Sequence, residues 1–237
     1  MKPSDKLFAI HIFAHIMIIP ALIYGEWWMF LVSLCWWLII AATAISSGYH
    51  RYFSHRSFEV EDWYRWFSQS LALFANPGPV LTWASVHRMH HAYNETELDP
   101  HSPNKKGFWK VYCSRWGDGI RIKRRFLRGL IDDSSVVFFH RYYFKLMMIL
   151  ALVLFIIHPL VFVFGLAMPI VLAFHGYGMI NAYTHKNNTV VNDWIANILT
   201  AGEGYHKNHH ERPREWMIGN KWYHMDTGSW FIRMIKK

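Results

Sequence analysis

Four stretches of this chain carry no Lys, Arg, Asp or Glu over lengths that a buried core helix seldom needs: Leu7–Tyr24, Trp27–Ser47, Leu146–Phe164 and Leu166–Thr184. Each has about 18–21 residues, ~27–32 Å as a helix, and so matches the ~30 Å hydrocarbon core of a bilayer. A backbone in lipid must satisfy its own hydrogen bonds, so such stretches have to be helical. They pair into two hairpins, one turning at Gly25-Glu26 and the other expected to turn at Gly165. A fifth apolar stretch, Trp63–Phe74, contains Arg65, Ser68 and Gln69 and stops at Asn76-Pro77-Gly78-Pro79. It is too short and too polar to cross, and reads as a buried helix or one lying at the membrane surface.

Charge orients the hairpins. The chain has 237 residues and a formal charge of +9, and all 25 Lys and Arg lie before Leu7, between Gly48 and Lys145, or after Thr184. Neither hairpin turn holds one. By the positive-inside rule both termini and the central loop are expected to be cytoplasmic. The basic balance is then a topology signal, and nucleic acid, the usual partner of a basic chain, is not expected. Lys2 and Lys6 before an apolar run have the look of a secretion leader. No small-x-small cleavage site follows before Glu26, so the first stretch is expected to remain as a span. Two cysteines, Cys35 and Cys113, make neither a disulfide scaffold nor a thiolate zinc site. With no internal repeat and no linker, one membrane domain over residues 1–237 is expected, with spans at 7–24, 27–47, 146–164 and 166–184.

Nine of the 16 histidines fall in four places on the expected cytoplasmic side: His50 and His55, His87/His90/His91, His185, and His206/His209/His210. On a helix, positions i, i+3 and i+4 share a face, so each triplet is expected to present three imidazoles in one direction. His50 and His55 diverge by ~140° on a regular helix, so they serve two different ions or the helix breaks between them. Asn181 and His185 stand four apart at the end of the fourth stretch and can face the same site. Nine imidazoles exceed the four ligands of a tetrahedral ion or the six of an octahedral one, so two ions sharing them is the natural division, with Asn181 able to join through water. Imidazole suits Fe, Zn, Cu and Ni alike, and ligand type alone does not choose among them. The plain alternative for each triplet is a polar surface cluster.

These residues resemble the membrane fatty-acyl desaturases, whose three histidine boxes read HxxxxH, HxxHH and HxxHH at the cytoplasmic ends of two transmembrane hairpins. The flanks match as well: Ser54-His55-Arg56-Ser57, Trp83 before the second box, Asp99-Pro100-His101-Ser102 and Gly107-Phe108 after it, and Gly202-Glu203-Gly204 before the third. The resemblance runs from about Ala41 to Pro213. It implies an all-α integral membrane fold, four transmembrane helices in two hairpins with a cytoplasmic helical cap holding a di-iron site. His50, His55, His87, His90, His91, His185, His206, His209 and His210 would ligate two iron ions, with Asn181 reaching one through water. It implies O2 as co-substrate and a cis double bond placed in a fatty-acyl chain. Trp83, Asp99, His101 and Glu203 become candidates for supporting the ligands or touching substrate.

The chemistry agrees with that implication. An unactivated methylene has no acidic proton for general acid–base catalysis, which favours redox-active iron over zinc. Adjacent methylenes are chemically alike, so the bond position must come from binding geometry. A narrow apolar tunnel is expected, lined by the Trp, Phe and Tyr residues between the boxes. Animal acyl-CoA members carry Arg-Asp just before the second box, where this chain reads Ser85-Val86, so the acyl carrier is CoA, a lipid or a carrier protein. The 27 residues after His210 hold no haem domain, so electrons are expected from a separate donor such as cytochrome b5 or ferredoxin. The membrane is a bacterial inner membrane or the endoplasmic reticulum. Two alternatives stand beside this one: a lipid or alkane hydroxylase using the same boxes, and a non-catalytic membrane protein with structural zinc.

Other features read more plainly. His11, His15, His158 and His175 are expected to make structural contacts. The run Arg121–Arg128 sets topology, binds anionic headgroups or docks an acidic electron donor.

Overall fold

The computed structural model describes residues 2–115 and 120–237. Among these, four helices are long and apolar enough to cross a membrane: α1 (Pro3–Tyr24), α2 (Trp27–Ser54), α8 (Ser134–Ile157) and α9 (Pro159–Tyr183). α2 and α9 form the inner pair, and α1 and α8 stand outside them, with large apolar side chains such as Leu22 and Ile156 left bare. Exposed apolar surface on this scale needs a partner, and lipid is the one that length and composition fit.

Two boundaries differ from the sequence reading. The second hairpin turns at His158, not at Gly165. Pro159 lacks an N–H and opens α9 at its first position, while His158 is extended and its Nδ1 accepts the Leu160 N–H at 3.1 Å. Gly165 lies inside α9, where its carbonyl accepts the Trp36 indole N–H at 3.1 Å and ties the inner helices together. α2 in turn runs past Ser47 to Ser54. From Ala41 onward it is wound wide, with i→i+5 bonding in place of i→i+4. The Ser47 and Ser54 hydroxyls support this by donating to the carbonyls of Ala42 and Tyr49, five residues back.

Shorter helices build the cap: α3 (Trp63–Ala72), α4 (Val80–Tyr93), α5 (Pro103–Lys106), α6 (Phe108–Tyr112), α7 (Arg124–Leu127), α10 (Trp194–Leu199), α11 (His206–Glu211) and α12 (Thr227–Ile235). α3 is the expected short helix, with Trp63, Trp66 and Phe67 exposed, Tyr64 and Ser68 buried against α2 and Gln69 against α8. A two-residue hairpin, β1 (His185–Lys186) with β2 (Thr189–Val190), is antiparallel in the register His185↔Val190. It is the one departure from all-α among the described residues. α9 ends at Tyr183, so His185 sits on β1 and not on the helix with Asn181.

Two bonding networks lock the cap onto α2. Arg88 of α4 reaches the free carbonyls at the end of α2, donating to Phe53 O at 2.6 Å and Ser54 O at 2.8 Å, and also to Phe126 O and Arg128 O at 3.0 Å. The last carbonyls of a helix lack internal partners, and this guanidinium supplies them. Arg51 is buried and pairs with Glu203 at 3.0 Å and Asp226 at 2.7 Å. Asp226 also caps α12 by accepting the Ser229 N–H at 3.0 Å. The remaining histidines behave structurally. His11 and His15 both pack on Phe174, His15 Nε2 lies 3.3 Å from His175 Nε2, and His224 stacks on Tyr205.

Candidate metal centre

The wide winding of α2 resolves the first box. In i→i+5 winding, positions five apart come onto one face, and the rings of His50 and His55 lie 5.1 Å apart on the same side. α2 ends at Ser54, and His55 caps it by donating its N–H to His50 O at 3.3 Å, so the two rings are not sent to two places. Both join His87, His91 and His209 in one group, whose ligand atoms all lie within 4.8 Å of one another. A second group holds His90, His185, His206 and His210 on the same criterion.

The two triplets do not each face one way. α4 sends His87 and His91 to the first group and His90 to the second, while α11 sends His206 and His210 to the second and His209 to the first. In each helix the i, i+4 pair stays together and the i+3 ring crosses over. The helices thereby interleave two centres, one with five imidazoles and one with four.

Spacing within each group fits a metal. In the first, Nε2 of His50 and Nε2 of His91 each lie 2.9 Å from His209 Nε2, and His55 Nε2 lies 2.8 Å from His87 Nε2. In the second, His210 Nε2 lies 3.3 Å from His90 Nε2 and 3.2 Å from His206 Nε2. Nitrogens ~2.1 Å from an ion and at right angles would be about 3.0 Å apart. Three carboxylates hold outer nitrogens and leave Nε2 free to ligate. His50 Nδ1 donates to Glu203 at 2.7 Å, His90 Nδ1 to Asp99 at 2.9 Å and His185 Nδ1 to Glu95 at 2.8 Å. Such partners fix the tautomer and the ring plane. His185 Nε2, buried and with no hydrogen-bond partner, is the kind of orphaned group an ion would satisfy.

Electrostatics point the same way. Burial, then mutual repulsion, holds His87, His90, His206, His209 and His210 well below the ordinary imidazole range, and His91 at about 3. They are therefore neutral, the form that binds metal. Burial alone would raise Glu203, but its pairing with His50 and Arg51 outweighs it and keeps the carboxyl at about 2. Burial lifts Asp99 to about 6, opposed by the N–H groups of Glu95 and His101.

Glu203 and Asp99 thus hold one ring in each group, and His101 stacks on His90 with ring centres 4.1 Å apart. Glu95, Arg51 and Asp226 escaped the sequence reading. Arg51 carried a signal, since a cation embedded among apolar residues and ligands at a helix end requires carboxylates. Glu95 carried none beyond its place four residues after His91.

Beneath the histidines an apolar cleft lies between α2 and α9. Trp37, Ala41 and Ile45 line one side, Tyr177 and Ile180 the other, and Trp83 stacks on His87 at 5.1 Å. Asn181, His50, His87 and His206 border the same space. Trp83 is an aromatic from between the boxes, as expected. Tyr177 on α9 also lies between boxes, the second and third, whereas Trp37 on α2 precedes the first.

Comparison with known proteins agrees with this geometry. The family model described as fatty acid desaturase matches residues 26–230. The sn-1 stearoyl-lipid 9-desaturase of Synechocystis is 30% identical over 96% of this chain and 74% of its own length. The Acyl-CoA C20 Delta5-desaturase of Anemone leveillei is 28% identical over 94% of this chain and 75% of its own. The Delta-9 acyl-lipid desaturase 2 of Arabidopsis thaliana is 29% identical, over 92% and 75%.

Proposed function

This chain belongs to the fatty acid desaturase family, and from that premise we propose that it places a cis double bond in a fatty-acyl chain at a pair of irons. The observation that carries the reading is the division of nine imidazoles into two adjacent groups above an apolar cleft. The nine histidines would hold the irons, with Asn181, which borders the same cleft, reaching one of them through water. When bound, the irons supply O2 activation and the removal of hydrogen from unactivated carbon. The balanced reaction is R–CH2–CH2–R′ + O2 + 2e− + 2H+ → R–CH=CH–R′ + 2H2O. The substrate supplies two of the four electrons that O2 takes up.

The protein's own residues do the rest. The cleft walls exclude water and hold the acyl chain in one register, which selects the bond between otherwise equivalent methylenes. Trp83 fixes the His87 ring and forms the wall nearest the ligands. Glu203, Asp99 and Glu95 keep Nδ1 protonated on three ligands. A single membrane domain over residues 1–237, with the boxes and both termini on the cytoplasmic side of a bacterial inner membrane or endoplasmic reticulum, follows from the charge asymmetry. Two electrons per turnover come from a separate carrier of the cytochrome b5 or ferredoxin kind. The acyl carrier is CoA, a membrane lipid or a carrier protein.

Expression in a desaturase-deficient host, with double bonds located by mass spectrometry, tests this directly. A new monounsaturated acyl species that disappears with His91→Ala supports it. Hydroxylated acyl chains in its place would establish the hydroxylase.

A further inference from the structure

Resting on the desaturase reading, the remaining question is how an acyl chain reaches the cleft. Between Asp193 and Glu203 the sequence holds no charged residue. The segment leaves and returns at one neck, where the Asp193 N–H donates to Gly204 O at 2.9 Å. Inside that neck α10 is inverted for a helix facing water: Trp194, Ile195, Ile198 and Leu199 are exposed, while Asn197 is buried. At its tip Ala201 (φ +56°) and Gly202 (φ +111°) are both left-handed, and together they turn the backbone round. The N–H groups of Thr200, Ala201 and Gly202 go to the carbonyls of Ala196, Ile198 and Asn197. The Gly204 N–H goes to Asn197 Oδ1, and the Asn197 amide donates to Met225 O. Irregular backbone at membrane depth is tolerated only when its polar groups are bonded within the protein.

Depth follows from two neighbours. Thr200 Cγ2 lies 3.9 Å from where a Cβ on Gly176 would sit, so the tip abuts α9 at that residue. Gly176 is seventeen residues past Pro159, ~26 Å along α9 and inside the ~30 Å core counted from the hairpin tip. His175, beside it, pairs with His15, which lies eight residues, ~12 Å, within the uncharged stretch that begins at Leu7. Both measures put the tip in hydrocarbon. There Thr200 walls the cleft between α2 and α9 on a third side, and the neighbouring Ile198 and Leu199 face outward. One thin segment stands between the cleft and the surrounding lipid.

We propose that residues 193–204 re-enter the membrane on the cap side, and that the acyl chain of a bilayer lipid slides sideways into the cleft past Thr200 while its headgroup stays at the surface. The chain exchanges one apolar surrounding for another and never crosses water, so entry requires no carrier bound from solution.

The test uses the full chain in nanodiscs. Nitroxide labels at Ile195→Cys and Ile198→Cys, in a Cys35→Ala/Cys113→Ala background, should collide more with dissolved O2 than with a water-soluble nickel chelate, and a label at Glu211→Cys the reverse. Water-exposed labels on α10 would overturn the re-entrant placement. The second probe is a phosphatidylcholine with a photoreactive diazirine midway along its acyl chain, compared with the same acyl chain on coenzyme A and on an acyl carrier protein. On irradiation the phospholipid should mark Ile45, Tyr177 and Ile180 inside the cleft. Thr200→Trp should cut those marks about tenfold while marks on the lipid-facing Leu22 and Ile156 stay equal, and the isosteric Thr200→Val should keep them all. Marks from the phospholipid confined to Leu22 and Ile156, or cleft marks from the water-borne carriers alone, would overturn the proposal, and this wild-type result decides even where Thr200→Trp lowers the melting temperature. Neither readout needs iron or turnover. If cleft labelling holds but the iron-loaded protein makes no double bond under any reductant, the side entrance stands and the desaturase reading fails.

Discussion

Glu203 Oε2 lies 2.7 Å from His50 Nδ1, while Oε1 of the same carboxylate lies 3.0 Å from the buried guanidinium of Arg51. One side chain from the tail thus orients the His50 ring on α2 and neutralises the cation beside it. Arg51 also holds Asp226, so the last helix of the chain is wired to the first histidine box.

Glu203→Gln keeps an acceptor for His50 but removes the charge. Loss of such an outer partner lowers metal affinity by about 10–100-fold. Asp226 still faces Arg51, so the cost in folding stability is the smaller one of a weakened buried hydrogen-bond network, about 1–3 kcal/mol. Iron content after dialysis against a chelator, with a thermal melt of the same samples, checks both. Unchanged iron retention would remove Glu203 from the site.

Much of this arrangement was legible beforehand. Uncharged length located the long apolar helices, and the histidine spacings picked out the nine rings that gather in two groups. Local winding was not legible. His50 and His55 look divergent on a regular helix, and only i→i+5 winding joins them. The turn at Pro159 was hidden because apolar composition continues through it, and a proline at a first helical position looks the same in sequence as one that kinks a span. Triplet spacing gave the shared face of His87, His90 and His91 but not its division, because 3.6 residues per turn put i+3 about 60° to one side of i and i+4 about 40° to the other, enough to reach two ions.

The division of ligands makes a graded prediction. His91→Ala removes one of five imidazoles from the first group, and His185→Ala one of four from the second. Iron is expected to fall from about two per chain toward one in each case, with loss at different centres, since neither site retains its ligand count. Metal analysis together with Mössbauer spectra of the two variants would separate the centres. Double-bond formation should vanish in both, and full activity in either would reject its ligand.

Gly202 tests the path of the tail into the third box. Its φ is +111°, and a Cβ there would sit 2.9 Å from Asp226 Cα and Thr227 N. These are backbone atoms that cannot swing aside. Gly202→Ala should cost about 1–3 kcal/mol by forcing a side chain into a region reserved for glycine, and should loosen Glu203 next door. A lowered melting temperature with impaired iron retention is the expected pair. An unaltered protein would show that this loop relaxes freely.

Acid should weaken the protein through the same imidazoles that would hold the metal. His91 and His101 are held at about 3, and the other buried histidines of α4 and α11 also lie below the ordinary 6.5. The unfolded chain takes up protons at these positions as pH falls through 6.5, and the folded chain does not, so stability rises with pH in this window and drains away on acidification. Asp99, lifted to about 6, acts in the opposite sense by binding its proton in the folded state first, but one carboxyl stands against several histidines. Protons compete with iron for the same nitrogens, which adds to the effect with the same sign. Thermal midpoints and bound iron measured from pH 7.5 down to 5 should therefore fall together, beginning near 6.5. A midpoint that held steady or rose across that range would mean that these rings are protonated in the folded protein, and rings that carry two protons cannot be ligands.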